Sequence, residues 1–145
     1  MATCADWLER SYYRESREVV YRHIAPRILI EKFIDDGHGA TPHDYKLFVF
    51  GGSVEMIQTD MNRFGGHRQL MYSPAWKKLD VRYVDDAAQI LGREWDFIRV
   101  DFYDTPGRLY FGELTLTPNE GCVRFRPPEF DAYLGSLWKS RGRTD

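Results

Sequence analysis

The chain has 145 residues, 29% of them charged and 43% hydrophobic, with a formal net charge of −2 and an isoelectric point near 6.1. That length can bury a core as one domain, and the near-neutral balance gives no global pull toward nucleic acid or an anionic membrane. Cys4 and Cys122 stand alone, so neither a zinc site nor a redox dithiol is signalled, and a reducing compartment is their simplest home. The start, MATCADWLERSYYRES, lacks the apolar core of a secretory signal. No run approaches the ~20 apolar residues of a membrane-spanning helix. The expectation is a cytoplasmic protein with no membrane span.

In chain order, residues 5–23 read as an amphipathic helix. Trp7, Leu8, Tyr12, Val19 and Tyr21 fall at loosely helical intervals among Glu and Arg, and Thr3 is placed to cap it. Pro26 ends that segment, and RILIEKFI reads as a strand. DDGHGATPHD is a polar loop. Strands over 45–50 and 54–59 flank Gly51-Gly52, the pattern of an antiparallel hairpin. Residues 60–80 read mostly as loop, with a short apolar stretch at Leu70-Met71-Tyr72. Residues 85–95 predict a short helix whose acids sit at its N-terminal end, where they favour the dipole. Pro127 and Pro128 open a last helix through Lys139, and the tail beyond it reads as disordered. The sum is an α+β fold, an antiparallel sheet packed by helices.

The densest chemistry lies in FIRVDFYDTPGRLYFGELTLTPNEG, residues 97–121. Alternating hydrophobicity gives two strands, and Asp104-Thr105-Pro106-Gly107 supplies the turn. Glu113 and Thr115 share a face because side chains alternate along a strand. Whether Asp101 joins them depends on the loop. A two-residue loop at Thr105-Pro106 places Asp101 opposite Tyr110, on the other face. A three- or five-residue loop places it opposite Leu109 or Phe111, on the face of Glu113. Two readings stand: an edge hairpin whose acids face water, or a site for a hard cation, since Mg²⁺ is usually bound by one or two carboxylates plus substrate phosphates.

Elsewhere, Asp44 and Lys46 lie two apart on one strand face. They make either a surface ion pair or a point charge for phosphate oxygens. Arg63, His67 and Arg68 surround Gly65-Gly66, which suits either an anion-binding loop or a solvated basic one. The four tryptophans, Trp7, Trp76, Trp95 and Trp138, fit core packing better than base stacking at this charge balance.

GELTLTPNEG resembles the Glu-x-Asn/Thr-x-x-Pro strand end of ATP-grasp enzymes, and VDFY resembles the strand that carries their other metal carboxylate. Four ordered blocks, APRILIEKFI, DYKLFVFGG, the hairpin above and PPEFDAYLGSLWK, are together similar to the TupA-like ATP-grasp family, from about Trp7 to Trp138. The resemblance implies ATP and Mg²⁺ as cofactors. It implies metal ligation by Asp101, Glu113 and Thr115, with Thr115 where the broader superfamily usually has Asn. It places Glu31 and Phe33 in the hinge strand beside adenine, and Asp44 and Lys46 toward the phosphates. It brings Arg63 and Arg68 toward the transferred phosphate and the acceptor.

The family's earlier lobe, with its strand Lys and Gly-rich phosphate loop, has no counterpart here. The expectation is therefore that residues 1–145 form a single domain, the C-terminal lobe of an ATP-grasp fold, with the N-terminal lobe absent and supplied by a missing segment or a partner chain. The implied function is ATP- and Mg²⁺-dependent carboxylate activation and ligation in cell-surface polysaccharide or teichuronopeptide biosynthesis, in a family also labelled glycosyltransferase. The alternative is a non-catalytic half-domain that binds nucleotide or packs onto a partner. The acceptor is not fixed by sequence.

Overall fold

The computed structural model describes residues 3–62, 65–73, 82–123, 125 and 128–138. They fall into two compact units, 1–33 with 117–123, and 34–116 with 124–145. The helix expected over 85–95 lies within the described part and runs from Arg82 to Gly92, whereas Arg63, Pro127 and the tail after Trp138 lie outside it. Among the described residues no helix is long and apolar enough to cross a membrane.

The first unit is built from short pieces. Helix α1 (Cys4–Leu8) begins at Thr3, whose hydroxyl accepts the Asp6 N–H at 3.3 Å while the Asp6 carboxylate accepts the Thr3 N–H at 2.6 Å. This reciprocal cap satisfies two N–H groups that a helix start leaves open. Helix α2 (Tyr12–Ser16) and a 3₁₀ turn at Val19–Tyr21 follow. The expected single helix over 5–23 is thus broken twice. Ser11 is extended, and Arg17 ends α2 in the left-handed region at φ 61°, a conformation that stops helical propagation. RILIEKFI, expected as a strand, runs without a ladder partner among the described residues, and Leu29, Ile30 and Phe33 are exposed. β-propensity alone does not make a strand, because backbone N–H and C=O groups need a lateral neighbour. A second 3₁₀ turn spans Pro118–Gly121.

The second unit is a five-stranded antiparallel sheet. Its strands are β1 (His43–Phe50), β2 (Ser53–Met61), β3 (Arg68–Tyr72), β4 (Phe97–Thr105) and β5 (Arg108–Thr115), in the order β3-β2-β1-β4-β5. Gly51 and Gly52 turn β1 into β2 at φ 55° and 90°, the positive pair that a tight twisted hairpin requires. The stretch at Leu70-Met71-Tyr72, expected within a loop, is strand β3, because β2 runs on to Met61 and offers it an edge to pair with.

The two sheet faces differ. On one, Tyr45, Leu47, Val49, Ile57, Ile98, Val100 and Phe102 form the main core with Ala88 of helix α3 (Arg82–Gly92). Each such fully buried side chain contributes about 1.5–3 kcal/mol. On the other, Phe48, Phe50, Met56 and Phe97 cluster with Leu134 of helix α4 (Pro128–Leu137). That apolar lining covers only the end near Gly51. Toward the opposite end the same face carries Asp44, Lys46, Gln58, Asp60 and Asp101, all buried.

Candidate functional site

The polar end of that face is an ion network centred on Asp101, which is 2% exposed. Lys46 and Asp101 are register partners on β1 and β4, so their side chains rise together. The Lys46 ammonium lies 2.7 Å from Asp101 Oδ2 and 2.7 Å from Asp44 Oδ2. Arg99, two residues before Asp101 on the same face, grips it with a fork. Its Nε donates to Oδ1 at 2.7 Å and one terminal nitrogen donates to Oδ2 at 2.8 Å. The same terminal nitrogen reaches Glu113 Oε1 at 2.6 Å and Thr115 Oγ at 2.9 Å, while the Thr115 hydroxyl donates to Glu113 Oε1 at 3.0 Å.

Glu113 reaches this face through an irregularity. The β4–β5 loop is Pro106-Gly107, flanked by the Thr105–Arg108 pair. It has two residues, not the three or five that same-face placement was expected to need. Regular pairing from it would set Asp101 against Gly112 and leave Glu113 on the far side. The register shifts between Val100–Leu114 and Phe102–Phe111, so Asp101 faces both Gly112 and Glu113. This β-bulge turns Glu113 and Thr115 back to the face of Asp101. Gly112 permits the crossing, because a Cβ there would lie 3.1 Å from the Asp101 carbonyl oxygen and 3.2 Å from the Tyr103 ring.

The electrostatics follow from the contacts. Burial works against the Lys46 ammonium, yet Asp101 and Asp44 together hold it above the ordinary lysine value. Burial likewise opposes the Arg99 charge, and Asp101 with Glu113 outweighs it. For Glu113 burial pushes upward, while the Thr115 hydrogen bond and the Arg99 charge hold the carboxyl below its ordinary range. Asp101 goes the other way: burial raises its carboxyl above the ordinary range, although Arg99 and Lys46 both pull it down.

Five of the sequence-derived candidates, Asp44, Lys46, Asp101, Glu113 and Thr115, meet here. Others do not. Arg68 pairs with Met61, one step out of phase with Gln69, which reaches Asp60 at 3.0 Å. The pleat thus puts Arg68 on the other face. Glu31 and Phe33 belong to the first unit, both exposed and outside any helix or strand. Arg63 lies outside the described residues. Sequence reading missed Arg99, although the Arg-Val-Asp spacing already placed it beside Asp101. It also missed Asp60, which lies across from Asp44 and accepts from the Gln58 amide at 3.1 Å, with His67 Nε2 at 3.7 Å.

A metal fit can be judged from the oxygens. Among the described residues no three His, Cys, Asp or Glu side chains form a metal cluster. The donor set is two carboxylates and a hydroxyl, hard ligands that suit Mg²⁺ when substrate oxygens complete the shell. One nitrogen of the Arg99 guanidinium lies within 2.9 Å of all three side chains, Asp101, Glu113 and Thr115. The positive charge where these oxygens converge is that of the Arg99 guanidinium, and the oxygens themselves are hard donors of the kind Mg²⁺ takes.

A family model described as TupA-like ATPgrasp matches residues 3–139. No curated protein matches the chain. Among solved structures it is similar to the ATP-grasp ligase PsnB complexed with a minimal precursor, at 15% identity and a TM-score of 0.42, over 80% of this chain and 46% of that one. The chain thus spans about half the length of that ligase. With the family match running almost end to end, the protein belongs to the TupA-like ATP-grasp family.

Proposed function

We propose that this chain carries the metal- and phosphate-binding part of an ATP-grasp ligase, one that activates a carboxylate as an acyl phosphate for displacement by an acceptor nucleophile. The observation that carries the reading is the convergence of Asp101, Glu113 and Thr115 on a single positive centre. In this reading those three side chains hold Mg²⁺, which when bound neutralises charge on the phosphates. Lys46 sets a point charge beside phosphate oxygens, and Arg99 offers them a planar fork. Glu31 and Phe33 take the hinge role beside adenine. Arg68 is left out, because its side chain faces away from the cluster. The setting that the resemblance implies is cell-surface polysaccharide biosynthesis.

A second reading, a nucleotide-binding or partner-interaction module without turnover, is favoured by one observation. Both oxygens of Asp101 are already taken by Arg99 and Lys46, as in a purely structural ion network. Calorimetry with ATP, with and without Mg²⁺, tests the metal assignment. Mg²⁺-dependent binding that Glu113→Gln abolishes is expected. Equal affinity in both conditions would exclude Asp101 and Glu113 as ligands. ADP release in the presence of carboxylate and amine acceptors then separates an enzyme from a binding module.

A further inference from the structure

We propose that the first unit carries a small-molecule site of its own, for a ring compound bearing a phosphate, whether a nucleotide or a sugar phosphate. The site is a half-open cleft of about 460 Å³ lined by α1, α2 and residues 21–27, within the size range of small-molecule sites. Its chemistry comes in two parts. Trp7, Tyr12 and Tyr21 supply aromatic walls, and Arg10 and Arg27 supply guanidinium groups.

The aromatic part is held in place from behind. The Tyr12 hydroxyl donates to Glu18 at 3.0 Å, and its ring meets Tyr21 edge-on, centroids 4.9 Å apart. Glu18 is itself buried and also accepts from the Thr117 hydroxyl. Tyr12 is therefore a fixed surface rather than a swinging side chain, the kind of support a preorganised site needs. Trp7 and Tyr12 leave 54% and 56% of their surfaces open. A held tyrosine ring and an indole, both open to solvent, suit a flat base or the apolar face of a sugar.

The charged part selects the substituent. Glu15 also lines the cavity but is drawn to Arg10 at 3.9 Å. The lining therefore carries two cations against one carboxylate. A guanidinium fork matches phosphate oxygens in geometry as well as charge. A ring alone would leave Arg27 unused, and an inorganic anion would leave the aromatic walls bare.

The site shares no residue with the ion network on the sheet, and its test is run without metal. The full chain in EDTA is titrated with UMP and glucose 1-phosphate, and separately with uridine, glucose and inorganic phosphate, by calorimetry and saturation-transfer NMR. The expected result is binding of at least one phosphorylated ring, with the free ring and free phosphate each at least about tenfold weaker, and saturation arriving from tryptophan protons. Arg27→Gln, an exposed position whose folding is checked by circular dichroism, should weaken binding about tenfold, the scale of one lost charge-assisted bond. Comparing UMP with glucose 1-phosphate identifies which ring fits. No saturation transfer at millimolar ligand would overturn the proposal. So would equal binding of inorganic phosphate or of the bare ring, or an affinity that Arg27→Gln leaves unchanged. Loss of Mg²⁺-dependent ATP binding would sink only the sheet-site reading, since this experiment contains no Mg²⁺.

Discussion

Arg99 holds four oxygens from three side chains, and that sets the consequences of losing it. Removing one partner of a buried ion pair strands the other, at a cost of about 3–5 kcal/mol. Arg99→Met should therefore lose stability on that scale in urea unfolding. The same variant tests the cation reading without any turnover. The four oxygens would lack their positive centre, so added Mg²⁺ should raise the melting temperature of Arg99→Met more than that of the parent. An equal shift in both proteins would show that these oxygens are not a cation site. A second residue-scale prediction concerns Tyr12, whose hydroxyl is pushed up from 10.0 to about 12, first by its hydrogen bond to Glu18 and then by burial. A folded value above the unfolded one means the contribution is fully present below pH 10.0 and fades as pH climbs through about 12. The phenolate absorbance of the parent minus that of Tyr12→Phe should show a late step, and Glu18→Gln should bring that step back toward 10.0. At this scale the sequence was partly legible. Acidic residues inside apolar strands are costly to bury without partners, which flagged Asp101 and Glu113. Arg99 passed as an ordinary strand residue, because a charged side chain in a half-buried strand looks the same whether it meets water or three oxygens.

At the scale of elements, the β4–β5 bulge decides whether there is a site at all. Its signal in sequence is only one glycine, Gly112, between Phe111 and Glu113. Loop parity and bulge position enter the register together, so counting residues across the turn cannot separate them. The expectation of a longer loop reached the right face by the wrong path. β3 was hidden for a related reason: five residues are too few for alternation to stand out, and the neighbouring strand supplied what local pattern could not. Gly112→Ala is the test of the bulge. Its methyl would press on the Asp101 carbonyl at 3.1 Å and the Tyr103 ring at 3.2 Å, so a loss of about 1–3 kcal/mol is expected, as for other overpacked positions. If the strain is relieved by losing the bulge, Glu113 leaves the face of Arg99, and the Mg²⁺ dependence of ATP binding should fall with it. A Gly112→Ala protein with parental stability and parental Mg²⁺ response would show that the bulge does not depend on glycine.

At the scale of the whole molecule, the described residues gather into two compact units with very different interiors. Composition reports how much apolar material a chain holds, not where it gathers, so this division was not legible. Every buried hydrophobic side chain among the described residues belongs to the second unit, whereas the buried residues of the first are Ser16 and Glu18. Hydrogen-bonded caps and a Tyr12–Glu18–Thr117 network replace a core there. Each net hydrogen bond contributes only about 0.5–1.5 kcal/mol, less than the burial of one large side chain at about 1.5–3 kcal/mol. Local opening of the first unit should therefore cost less than global unfolding. Hydrogen exchange read by mass spectrometry checks this directly. Peptides from β1, β2 and β4 should exchange only through global unfolding, and should slow or quicken in step with urea stability. Peptides over α1, α2 and the turn at Val19–Tyr21 should exchange much faster and respond weakly to low urea. A phosphorylated ring bound in the first unit should slow exchange in those peptides and leave the β1 and β4 rates unchanged. Protection of residues 4–21 equal to that of the central strands would mean that the caps and the buried Glu18 network stabilise this unit as strongly as a hydrophobic core.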